Sequence, residues 1–143
     1  MATPYSVIEN SFLNKITDDL LLSMVDEDIE AMLDSYRVSA SVMFKQCAKL
    51  SDTDDVKRVY STTLTNEEIE ILANLMVLEW LKQRINSMEL LRMGMSTKDF
   101  RTYKQSEHLN SLLALKKDTL GAVDRLIVSY TYSKNKLSDL RKV

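Results

Sequence analysis

Apolar positions recur every third or fourth residue along three long stretches of this chain, and each stretch opens on a polar helix-start signature. From residue 26 to about 49, Ile29, Met32, Leu33, Tyr36, Ala40, Met43, Phe44 and Cys47 share one helical face. Asp26 reads as the N-cap, with Glu27, Asp28 and Glu30 in the first turn, where the helix dipole favours negative charge. A second helix opens at Thr65-Asn66-Glu67-Glu68, a capping box in which the Thr hydroxyl accepts the Glu68 amide while the Glu68 carboxylate reaches back. Ile69, Leu72, Ala73, Met76, Trp80 and Leu81 form one stripe of this helix. Ile71, Leu75 and Leu78 cover its other side, so it is central or sandwiched between partners. The pattern weakens at Arg84-Ile85-Asn86-Ser87, and a shorter segment, 88–93, ends at Gly94.

Ser96-Thr97-Lys98-Asp99 repeats the capping signature with the weaker Asp and opens a third long helix that runs past Leu126. Phe100, Tyr103, Leu109, Leu112, Leu113, Leu120, Val123, Leu126, Ile127 and Tyr130 supply its stripe. Lys104, Lys116, Lys117 and Asp124 sit largely off that stripe. Gly121 inside this helix costs ~1 kcal/mol against Ala and marks an expected close approach to another backbone.

Between and beyond these helices the periodicity fails. Residues 1–15 hold Pro4, Asn10, Ser11 and Asn14, which discourage a long helix, and they read as an arm. Tyr5, Val7, Ile8, Phe12 and Leu13 are too apolar for a tail that meets only water, so the arm docks on its own body or on a neighbour. Thr17 can cap a short turn over Asp18 to Leu22. In 51–64, a loop precedes a β-branched run from Val56 that is either a short strand or hairpin arm, or an irregular excursion. After Ile127 the composition shifts toward Val128, Tyr130, Thr131 and Tyr132, and a tail, 131–143, mixes Leu137 and Leu140 with cations. Such a segment orders on binding a partner surface.

The fold class that follows is mainly α. We expect one domain over 1–143, an elongated bundle of about three long helices plus short ones, with arm 1–15, body 16–130 and an extended tail 131–143. Its 45% hydrophobic and 28% charged content is that of a folded chain, and no apolar run approaches the roughly 18 residues of a membrane span. The first residues lack the basic segment and apolar core of a signal peptide, and Cys47 is the one cysteine, so a cytoplasmic, disulfide-free setting is expected.

Candidate chemistry is sparse. With Gly94 and Gly121 as its two glycines the chain has no glycine-rich phosphate loop, and it has no cysteine-histidine cluster. His108 is the one histidine and reads as a surface residue, and Cys47 reads as a small core residue. Asp52, Asp54 and Asp55 lack the glycine and the distal Glu of a calcium loop. Glu79 pairs with Lys82 or Arg84, or faces an interface, and no second acid or base is identifiable beside it. No catalysis, cofactor or metal is expected.

Net charge is −2 but unevenly placed. Residues 1–30 set Glu9, Asp18, Asp19, Asp26, Glu27, Asp28 and Glu30 against Lys15 alone, whereas the last ten set Lys134, Lys136, Arg141 and Lys142 against Asp139. A basic tail seeks nucleic acid or an acidic protein surface, or is simply solvated.

Four blocks then stand out: Thr65-Asn66-Glu67-Glu68-Ile69-Glu70-Ile71-Leu72-Ala73, Glu79-Trp80-Leu81-Lys82, Ile85-Asn86-Ser87-Met88-Glu89-Leu90-Leu91 and Ser96-Thr97-Lys98-Asp99-Phe100. In pattern they resemble the head-to-tail connector, or adaptor, proteins in the neck of tailed bacteriophages, over most of 16–132. The resemblance implies a virion protein made in the host cytoplasm, a ring, usually a dodecamer, that docks on the portal and joins the capsid to the next neck or tail-completion protein. It also implies non-specific contact with genomic DNA in the channel. On that implication Tyr130, Tyr132, Lys134, Lys136, Leu137, Leu140, Arg141 and Lys142 are candidates for portal docking, and Ile71, Leu75, Leu78, Glu79, Lys104 and Lys116 for the subunit interface. The competing reading, from the basic tail, is a small helical nucleic-acid-binding or regulatory protein; an enzyme subunit is a third.

Overall fold

The computed structural model describes residues 2–16, 24–94 and 103–134, with side chains through 88 in the third helix and from 107 to 132 in the last. The order is β1 (Thr3–Pro4), α1 (Tyr5–Leu13), α2 (Asp26–Met43), a 3-10 turn (Ala48–Ser51), β2 (Thr53–Asp54), β3 (Val59–Tyr60), α3 (Asn66–Gly94) and α4 (Tyr103–Lys134). The described chain is mainly helical, a bundle of three long helices and a short one, as the periodicity predicts. The Thr17 turn and the Ser96 capping box lie outside the described residues.

The N-terminal stretch is more regular than an arm. Pro4, fixed at φ −62° and ψ 143°, closes β1 and caps α1. Tyr5, Ile8 and Phe12, at helical spacing, are then fully buried against the chain's own body. The Asn and Ser residues that argue against a helix lie largely on its outward side: Ser6, Asn10 and Asn14 are exposed. The 51–64 excursion is a hairpin. β3 pairs antiparallel with β2 and β1, in the order β1-β3-β2, with Tyr60 opposite both Thr3 and Thr53. Asp54 Oδ1 accepts the Val56 and Lys57 amides at 3.1 Å each, so this carboxylate shapes a turn.

α2 differs from expectation at both ends. Val25 is the N-cap and makes no side-chain capping bond, which places Asp26, Glu27 and Asp28 inside the first turn. The helix stops at Met43, because Phe44 leaves helical geometry (φ −92°, ψ 66°) and turns inward against Tyr130, ring centroids 5.1 Å apart. Leu33, Tyr36 and Ala40 bury the α2 stripe, and Phe44, Cys47 and Leu50 continue burial past its end.

α3 is the axis on which α1, α2 and α4 all pack. Its capping box forms: the Thr65 amide donates to Glu68 Oε1 at 2.8 Å and the Glu68 amide to Thr65 Oγ1 at 3.2 Å. The break expected at 84–87 is absent. Ile85 is buried and Met88 packs against the core, and a helix held by tertiary contacts runs through polar residues of adequate propensity. α4 meets α3 along Leu109, Leu112, Lys116, Thr119, Val123, Leu126 and Tyr130, alternating steps of three and four that keep one seam on a straight partner. Lys116 is therefore partly buried on the seam, while Leu113 and Leu120, expected on it, are 42% and 43% exposed. Gly121 makes no close backbone approach within the subunit; a Cβ there meets only Arg125 Nη1, at 3.6 Å.

Candidate functional site

The chemistry-bearing side chains gather in two clusters, both at joints between elements. The first centres on Glu68, 1% exposed in the first turn of α3. Its Oε2 accepts the Cys47 thiol at 3.0 Å and the Tyr130 hydroxyl at 2.8 Å. Its Oε1 accepts Lys49 Nζ at 3.1 Å and the Thr65 amide at 2.8 Å. Burial opposes the charge of Glu68, but donation from Cys47, the Thr65 amide, Tyr130 and Lys49 outweighs it and holds the pKa down at about 2. Burial and the adjoining carboxylate push the Cys47 thiol up, and the same pair of causes raises Tyr130. With both carboxylate oxygens occupied, this group has no proton to take near neutrality and fastens three segments together, 47–49, the start of α3 and the end of α4.

The second cluster holds the hairpin. Arg58, at φ +56°, sends Nη1 and Nη2 to Asp34 Oδ2 and Oδ1 at 2.9 and 2.8 Å, and also reaches Glu9 at 3.3 Å and Glu30 at 3.0 Å. The fork geometry holds the Asp34 carboxyl below its usual range, while burial raises that of Glu9. Beneath it, the buried Arg37 guanidinium lies 3.5 Å over the Tyr5 ring, and Tyr5 donates to Asp55 at 2.7 Å. The Asp54 and Asp55 carboxylates of the notional calcium loop are thus engaged in the hairpin, and among the described residues no group of three His, Cys, Asp or Glu is arranged to hold a metal.

The residues singled out from sequence do not converge on one place. Tyr130 is buried at 8% exposure and bound to Glu68, so it is a core residue and not a docking residue of this subunit. Ile71, Leu75 and Leu78 are likewise buried within the chain's own core, and their apolar character needs no neighbouring copy. Glu79 pairs with Lys82 at 3.1 Å. Tyr132 is 77% exposed at the end of α4. Lys104 and Lys134 lie in α4 with side chains outside the description, and Lys136, Leu137, Leu140, Arg141 and Lys142 lie outside the described residues.

Several outward-facing side chains are apolar. Val38 and Val42 on α2 border a groove of about 500 Å³ that also takes in Ser41 and Thr53. Val128 and Tyr132 on α4 border a second of about 370 Å³. No helix among the described residues is long and apolar enough to cross a membrane. The chain matches no protein-family model, no curated protein and no solved structure.

Proposed function

We propose that this chain is a structural subunit without catalysis, a head-to-tail connector of a tailed bacteriophage. It forms a ring that docks on the portal, joins the capsid to the next neck or tail component and surrounds the DNA channel. One observation carries the reading: the core is filled from within, yet Val38 and Val42 on α2 and Leu113, Leu115, Leu120, Val128 and Tyr132 on α4 stay exposed. Rows of exposed apolar side chains on two helices suit a subunit that is buried on more than one side in an assembly. The polar groups of highest potential, Glu68, Arg37 and Arg58, are engaged in holding elements together, which suits a scaffold. The cations and leucines of residues 135–143 follow directly on α4 and fit the docking role that the resemblance implies.

Native mass spectrometry with negative-stain microscopy tests this. Closed rings, alone or on addition of a portal, are the expected outcome. A stable dimer that binds short duplex DNA with a steep salt slope would replace the connector by the nucleic-acid-binding reading. Deleting residues 135–143 should leave the helical fold intact and abolish portal attachment.

A further inference from the structure

A ring of identical subunits repeats one contact between two different surfaces. Resting on the connector reading, we infer that these surfaces are the outer face of α2 on one copy and the outer face of α4 on the next, with the two helices running parallel.

The first support is placement. α2 and α4 each pack on α3, and Phe44, just past the end of α2, meets the Tyr130 ring of α4. Each therefore keeps an outer face along its length, and one subunit offers both faces at once. The second is composition. On α2 the outer row begins at exposed Glu27 and ends at exposed Val38 and Val42; on α4 it begins at exposed Lys117 and ends at exposed Val128 and Tyr132. An acid heads one row and a cation the other, which makes the two rows complementary and each row unsuited to its own copy.

The third support is register. Glu27 to Val38 and Lys117 to Val128 are the same eleven-residue step, about 16 Å along a helix and within about 20° of one face. The next apolar residue follows four positions later in both rows, at Val42 and at Tyr132. Laid parallel, Glu27 meets Lys117, Val38 meets Val128, and Val42 meets Tyr132. In the same register exposed Ala31 falls opposite Gly121, two small residues at which helix backbones can approach. That supplies the purpose for Gly121 that the subunit's own packing lacks, since nothing but a flexible Arg125 side chain lies near it. Asp124 comes opposite Asp34, whose charge is already engaged by Arg58. The grooves beside Val42 and Tyr132 give each knob an adjoining recess.

The contact is tested in the full chain. V42C and Y132C are made as separate variants, the native Cys47 being buried, and the two are mixed under mild oxidation. A disulfide-linked dimer should form from the mixture and from neither variant alone. In parallel, E27K and K117E should each weaken assembly by about threefold to tenfold, and the two together in one chain should restore it. Gly121→Leu should abolish assembly without lowering the melting temperature read by circular dichroism. A chain that forms rings while neither cross-link nor charge reversal responds overturns this contact and leaves the connector reading standing. A chain that stays monomeric at millimolar concentration, with a portal present as well as without one, overturns both.

Discussion

The hydroxyl of Tyr130, near the C-terminal end of α4, donates a 2.8 Å hydrogen bond to Glu68 Oε2 in the first turn of α3. It ties the two longest helices together near the end of α4, and the ring also meets Phe44 just past α2. Tyr130→Phe keeps the ring contact and removes one hydrogen bond to a buried charge, a loss of about 2 kcal/mol. Chemical denaturation should show that loss with an unchanged m-value. A variant as stable as the parent would mean that the other donors to Glu68 compensate fully.

Glu68 should also set the acid limit of the fold. Its pKa is about 2 in the folded chain against 4.5 for the ordinary carboxyl, so the folded state binds the proton less readily than the unfolded one. The stability this contributes, on the order of 3 kcal/mol, is present above pH 4.5 and is lost as pH falls toward 2. Glu9, whose pKa is raised, contributes in the opposite direction. Glu68→Gln should be less stable at neutrality and should flatten the dependence between pH 4.5 and 2, read from urea midpoints across that range. An unchanged slope would remove Glu68 as its source.

The capping box at Thr65 was legible because its two partners sit within one turn, and local pattern is enough to specify them. The same Glu68 was not legible as a hub, since Cys47, Lys49 and Tyr130 reach it from distant parts of the chain and no spacing in the sequence encodes that meeting. The long helices were readable from their period. The α4 seam was only half readable, because Lys116 and Thr119 interrupt it with polar residues while Leu113 and Leu120 advertise a stripe that faces outward. Tyr130, Ile71, Leu75 and Leu78 looked like interface residues for the opposite reason. Apolar character is shared by cores and contacts, and only tertiary packing separates them.

Gly121 separates the stability of the subunit from its assembly. It sits within α4, no positive φ is required of it, and an added Cβ meets ordinary contact with Arg125. Gly121→Ala should therefore stabilise the monomer by up to about 1 kcal/mol, raising Tm by roughly 3 °C in a chain of this size. A lowered Tm would show that the backbone there needs freedom that the helical geometry does not reveal.

The polar centre of the α4 seam is the remaining weak point of the bundle. Thr119 lies between Val123 and Leu112 on the face toward α3, and it borders an open groove of about 480 Å³ with Ile16, Asn74, Val77, Trp80 and Leu115. A seam position that is half-buried and polar forgoes the apolar burial that its neighbours gain. Thr is also a poorer helix former than Leu, because its branched side chain loses rotamer freedom against the preceding turn. Thr119→Leu places an apolar side chain against Val77 and Trp80 with room to spare, so overpacking is not expected. The substitution should stabilise the chain by about 1 kcal/mol, measured by urea denaturation, and hydrogen exchange should slow across 109–126. Faster exchange there would show that the groove is filled in solution by another part of the chain.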